Sequence, residues 1–482
     1  MKHNYFSKLM ISMALLLVVQ TYSTAQNNIE DVVLNGQAFK KITGTISVDE
    51  TLDNSSLWII EGIVEVAANT TLTITEGTQI FAETAGTRLE VNQLGLVDWQ
   101  GTATNPIVFN SLANAPGQGP GDTTRGQWSG IGIEGAGGTD NSGTIRYVRL
   151  MYPGSDDDAF QFTNGGDQTV AEYIQVFRPG DNGIRINNGT INFKYLVSTD
   201  PIASEAGIRW SDNWDGNGQF WVVNMLEGSE AIQGREGNGL LSNVTITGPA
   251  FNDASAAFEG IGFRIRNGGT AQIYNAVVTG VDVSIRFSNG SEDGVTNGVS
   301  FFRNSASFEN DPTSAGGAGF HSTAETFNPE DSAYVPTNDN STDTFPIVDS
   351  YVGTSTTNST AAGALDAFFT DVNYVGAVQN GNDWTEGWTL NLDGTLRTLS
   401  VNGFDIENIE VYPNPVVDEL TINSEFKILN VAIYNILGRK VYENLSFIND
   451  ENKINMSQFQ QGIYFLQLSS GDATQTLKII KR

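Results

Sequence analysis

No cysteine occurs among the 482 residues, which excludes disulfides, a thiolate nucleophile and a cysteine-linked lipid anchor. Histidine is almost as scarce: only His3 and His321 are present. His3 falls in an N-terminal leader, so histidine-based metal sites and Ser-His-Asp chemistry are strongly disfavoured. Basic residues are few, with 25 Lys and Arg against 55 Asp and Glu, giving a net charge of −30. Removal of the leader with Lys2 and Lys8 takes this to −32. Such a field repels nucleic acid and anionic membranes, and it disfavours polyanions unless a local basic patch or bound cations mask the acids. Long apolar runs are missing except for Leu9 to Val19. That run follows Lys2 and Lys8 and precedes Ser23-Thr24-Ala25, the pattern of a signal peptide over residues 1–25, and it is too short to span a membrane.

What the chain does have is a repeat. Phe160, Ile184, Ile208 and Ile232 are each 24 residues apart, each preceded by a small residue and, two or three positions back, by an acid. A second strand recurs between them, at Tyr147 to Leu150, Tyr173 to Val176, Tyr195 to Ser198, Val222 to Met225 and Asn243 to Ile246. Several short strands per two dozen residues, with Gly and Asn at the corners, describe the coils of a parallel β-helix. The expected fold is therefore all-β, a right-handed parallel β-helix over residues 26–400 followed by a small β-sandwich at 409–482. Residues 304–362 are polar and weakly periodic and read as a surface excursion. Trp384 and Trp388 bring aromatics back near 365–390 and are expected to cap the solenoid. Residues 401–408 read as a linker.

Two stretches resemble known families. "Leu-Thr-Ile-x-x-Gly-Thr" from Leu72, "Gly-Thr-Ala-x-x-Pro-Ile-x-Phe" from Gly101 and "Trp-x-Gly-Ile-x-Ile" from Trp128 resemble the opening coils of secreted β-helix proteins of the pectate-lyase-like superfamily. Tyr412-Pro413-Asn414-Pro415, Asn435-x-Leu437-Gly438-Arg439-x-Val441, Gly462-x-Tyr464-Phe465-Leu466 and a basic terminus resemble the type A C-terminal sorting domain of the type IX secretion system. That resemblance implies handling by the type IX machinery, with the cargo released or held at the outer-membrane surface.

Candidate chemistry lies on the repeat. In stacked coils, equivalent residues sit about 4.8 Å apart. Gln161, Arg185, Arg209 and Gln233 should form an outward ladder, with Phe162, Ile186 and Trp210 facing inward beside the anchors. The acids Asp157, Asp158, Asp181, Glu205 and Glu230 should stack as well, with Arg185 and Arg209 to neutralise them. Asp157, Asp158, Asp181, Arg185 and Arg209 are the catalytic candidates. Gly154 to Phe160 resembles the paired-aspartate motif of polygalacturonase-type hydrolases, whose Gly-His-Gly is missing here. Their Arg-Ile-Lys has only partial echoes at Arg185-Ile186-Asn187 and Arg264-Ile265-Arg266. A lyase would need a base near a neutralised uronate, for which Arg185, Arg209, Arg264 and Arg266 are available. The loop from Trp210 to Trp221 combines flat rings and short polar groups, so Trp210, Asp212, Trp214, Asp215 and Trp221 are the ligand-binding candidates for a sugar. Calcium is the cofactor that Asp157, Asp181, Asp212 and Asp215 could hold. The expectation is an exported carbohydrate-binding or adhesin-like protein. A polysaccharide lyase or hydrolase is the alternative, and a structural surface component the second.

Overall fold

The computed structural model describes residues 26–248, 260–303, 305–308, 320–322, 352–353, 362–379, 382–397, 409–424, 430–435, 439–444, 452–470 and 473–482. The leader, the linker at 401–408 and most of the excursion at 304–362 lie outside these residues. Strands paired in parallel wind into a β-solenoid of about ten turns, with three strands per turn. The first sheet includes Arg88–Val91, Gly130–Glu134, Phe160–Gly165, Ile184–Gly189, Ala206–Ser211, Glu230–Arg235, Ile261–Arg266 and Val283–Ser288. The second and third sheets share longer strands, such as Gly143–Met151, Val170–Phe177, Phe193–Thr199 and Asn217–Asn224, each bent at its middle. An antiparallel hairpin, Asn28–Leu34 with Gln37–Ile46, opens the chain, and Phe39 and Leu34 pack with Ile59 and Phe81.

The 24-residue ladder has the expected register. Phe160 pairs with Ile184, Ile184 with Ile208 and Ile208 with Ile232, and all four are fully buried. Burying each such side chain contributes about 1.5–3 kcal/mol, and a solenoid repeats the gain at every coil.

The bend between the second and third sheets has a cost that the sequence meets in an unusual way. Tyr147, Tyr173, Tyr195 and Phe220 occupy it with φ between 52° and 60°, followed by Asn243 and Asn275. Left-handed backbone at a bulky residue costs roughly 1–3 kcal/mol. The corner rings stack on one another, with centroids 4.2 Å apart for Tyr147–Tyr173, 4.2 Å for Tyr173–Tyr195 and 4.9 Å for Tyr195–Phe220. Such pairs return about 0.5–1.5 kcal/mol each beyond their burial.

The aromatics near 365–390 lie along the flank rather than over an end of the solenoid. Residues 362–397 run back over the corner rings and the outer face of the third sheet. Trp388 and Trp384 meet Tyr147 and Tyr195 edge to face at 5.5 and 5.1 Å. Trp388, Ala377 and Val378 bury Val197 and Val222, two outward residues of the third sheet. An apolar stripe on an outer face has to be covered by chain, and this strap covers it.

In the C-terminal part, Ile409–Tyr412, Glu419–Ser424 and Asn452–Asn455 form one antiparallel sheet. Lys440–Asn444, Asn430–Asn435, Gly462–Ser470 and Ala473–Lys481 form a second, in that spatial order. Val416, Leu420, Ile433, Ile454, Leu466 and Ile479 share a buried core, as a small sandwich requires. Among the described residues no helix is long and apolar enough to cross a membrane.

Candidate functional site

The outer face of the first sheet carries two columns of side chains, because alternate residues of each strand point outward. Register aligns Gln161, Arg185, Arg209, Gln233, Arg264 and Arg286 in one column. Two residues further along each strand, Thr163, Asn187, Ser211, Arg235, Arg266 and Ser288 make the other. Six of the fifteen arginines of a chain with net charge −30 therefore stand on one face. Thirteen arginines but one lysine, Lys194, occur between residues 42 and 426, so the cation used throughout the solenoid is the forked, planar one.

The two ends of this face differ. Towards the N-terminus the charges are matched. Arg88 lies across Gly132, where a Cβ would collide with the Glu90 carboxylate, and ion-pairs with Glu90. Its Nη2 also donates to Gln161 Oε1 at 3.1 Å and its Nη1 to the Asp158 carbonyl at 3.2 Å. Arg185 Nη1 lies 3.5 Å from Asp158, and Arg185 donates to Asn187 and Ser211. Further along, Arg264 reaches Glu230 at 3.3 Å. By contrast Arg209, Arg235 and Arg266 make no hydrogen bond or ion pair among the described residues, and the Nε of each is enclosed without a partner. Burial, together with the neighbouring Arg185, lowers the pKa of Arg209 below its ordinary value.

The acids along the margin are occupied locally. Asp157 caps the Asp158 amide at 2.8 Å, Asp181 caps the Asn182 amide at 2.6 Å, and Asp158 accepts from Asn182 Nδ2 at 2.7 Å. Burial raises the pKa of Asp158 in spite of Arg185 beside it, and burial followed by the Asp181 charge raises that of Glu205. The expected acid ladder breaks at Glu230, which pairs with Ala206, so the position equivalent to Glu205 is Ser229. Its hydroxyl donates to the Glu205 carbonyl at 2.7 Å. The neutralising role expected of both arginines is met by Arg185 in an ion pair with Asp158, and by Arg209 only through its charge, which opposes the upward shift of Glu205.

The expected sugar-binding loop is corrected by burial. Trp210, Trp214 and Trp221 are fully buried inside the solenoid and present no ring face to a ligand. Their place is made by glycines: a Cβ on Gly234 would lie 2.2 Å from the Trp210 ring, and one on Gly218 2.4 Å from that of Trp221. Trp214 Nε1 donates to the Ile191 carbonyl and Trp221 Nε1 to that of Phe193. Asp212 and Asp215 remain exposed at this corner. For calcium, no group of three or more acidic or histidine side chains able to hold a metal occurs among the described residues. Arg286 was missed in the sequence because the step from Gln233 to Arg264 is 31 residues rather than 24, and Arg235, one regular step after Ser211, because only the column of Gln161 and Gln233 was followed. The Arg264-Ile265-Arg266 alternation was the available signal.

Comparisons with known proteins agree with this architecture. The family model of the pectate-lyase like β-helix domain matches residues 44–389, and that of the secretion system C-terminal sorting domain matches 410–482. An ulvan lyase of Nonlabens ulvanivorans is 37% identical over 83 residues, 17% of this chain and 15% of that protein. The chain thus spans well under a fifth of that relative, and the shared stretch is far shorter than the solenoid. No solved structure matches.

Proposed function

Because the chain belongs to the pectate-lyase-like β-helix family and carries a sorting domain for type IX export to the cell surface or extracellular space, we propose that it binds an acidic extracellular polysaccharide. The outer face of the first sheet is the binding surface. The observation that carries this reading is the set of arginines without partners on that face, within a chain rich in acids. Guanidinium forks match carboxylates and sulfate esters in shape and charge, and the terminal nitrogens of these three are open to such a group. This patch also removes the objection that net charge raised against polyanions.

A second reading places a polysaccharide lyase or hydrolase on the same face. It draws on Asp158, whose buried carboxyl is held 3.5 Å from Arg185, and on the likeness to an ulvan lyase. Binding is favoured because Asp158 is buried and held by Asn182 and Arg185, so its carboxyl does not stand open to a polymer lying on the face. The test is incubation of the full chain with polygalacturonate, alginate, carrageenan and dextran, followed by sizing of the polymers. The binding reading expects co-elution with acidic polymers of unchanged length. Shortened products lost in an Asp158→Asn variant would establish the enzyme instead.

A further inference from the structure

Resting on the reading above, we infer that Arg209, Arg235 and Arg266 form a staggered triad that selects linear polyanions by the spacing of their charges. The three residues lie on consecutive strands of the first sheet, Ala206–Ser211, Glu230–Arg235 and Ile261–Arg266. Arg209 is in one outward column, and Arg235 and Arg266 are in the next. Coils repeat every 4.8 Å or so, and alternate residues of a strand are about 7 Å apart, so the triad is a grid with a short step along the solenoid and a longer step across it.

A polymer lying along the solenoid axis meets this grid with anionic groups from both of its edges. One edge faces Arg209 and the other faces Arg235 and Arg266, with successive anions about one coil apart on the second edge. A polymer with an acid on every residue supplies that pattern. A polymer with acids on widely separated residues satisfies one guanidinium at a time. Two features separate the triad from a merely basic surface. Arg264, beside it on the strand of Arg266, is already paired with Glu230, so its ligand is supplied by the fold. The triad has no such partner among the described residues; burial first, and then the charges of Arg185 and Arg266, lower the pKa of Arg209 against the opposing pull of Asp158 and Glu205. Like charges this close, offset only in part by acids that make no ion pair with them, favour the arrival of an anion. The guanidinium groups themselves neutralise the polymer, so retention does not depend on a divalent cation.

The experiment titrates the full chain with polygalacturonate and with a galacturonan of the same length methyl-esterified at most of its carboxyls, with and without a chelator. Single Arg209→Gln, Arg235→Gln and Arg266→Gln variants are compared with Arg146→Gln, whose arginine pairs with Glu172 on the second sheet at 3.1 Å. The expected result is a loss of about tenfold or more for each triad variant on the fully charged polymer. Arg146→Gln and the chelator should leave binding unchanged, and the sparsely charged polymer should bind weakly to all. Melting curves identify a variant that fails to fold, and the remaining two carry the test. Tight binding of polygalacturonate that survives all three substitutions would overturn the triad while leaving acidic-polysaccharide binding intact. Equal affinity for the two polymers would overturn selection by charge spacing. No binding to any acidic polymer would overturn the binding reading itself.

Discussion

The first and third sheets belong to the same coils, yet their outer faces are finished in opposite ways. On the third sheet, and at its corner with the second, outward polar groups are met by the strap. Gln175 donates to the Leu390 carbonyl at 3.0 Å and accepts from its amide at 2.8 Å. Gln219 makes the same two-way contact with Thr370, at 2.8 Å each way. Asn243 donates to the Tyr374 carbonyl, and Arg149 to that of Trp388. Burial pushes Arg149 down to about 10, which still leaves it charged at neutral pH. On the first sheet Arg209, Arg235 and Arg266 have no such answer among the described residues. Most enclosed polar groups of a folded chain are paired. The first sheet thus leaves three whole guanidinium groups without a partner among the described residues, where the third sheet has its outward side chains met by the strap.

The largest effect should come from uncovering the satisfied face. Trp388→Ala removes a fully buried ring from the contact with Tyr147 and Val197. It should cost about 3–5 kcal/mol, measured by denaturant unfolding. A loss within experimental error would mean that the strap is not part of the stable fold. Gln175→Leu should follow at about 1–3 kcal/mol, because it leaves the Leu390 amide and carbonyl buried without partners. On the opposite face, Arg235→Gln should stay within about 0.5 kcal/mol of the parent, and a larger loss would erase the contrast.

The smallest effect is a pH dependence at the margin of the first sheet. Asp158 has its pKa raised above 3.8 by burial, so the folded state holds its proton to higher pH than the unfolded chain does. Its contribution favours folding below the ordinary carboxyl range and is lost as pH rises through the raised value. Asp158→Asn should thus lose less stability than the parent between about pH 4 and 6. An identical pH profile would show that Asp158 titrates normally.

Much of the fold could be read from the residues alone, since a constant 24-residue step with alternating apolar positions leaves few alternatives. The same alternation already placed Trp210 inside, next to Phe162 and Ile186. Trp214 sits at a corner, where alternation does not apply, and the space for its ring is left at Gly216. The strap could not be inferred from periodicity, because it crosses the coils instead of extending them. Its targets, Gln175, Gln219 and Asn243, are 131 to 215 residues away in sequence. Unpaired arginines were equally hidden: a sequence shows that Arg209 and Glu205 are near, but not that they fail to meet.

The most direct measurement is the thermal unfolding of the full chain and of an Arg209→Gln, Arg235→Gln, Arg266→Gln triple variant, each with and without polygalacturonate. A ligand that binds only the folded state raises its melting temperature. Without the polymer the variant should melt no lower than the parent, and only the parent should be stabilised by it. A variant that melts well below the parent, or that is stabilised just as much, would contradict this account.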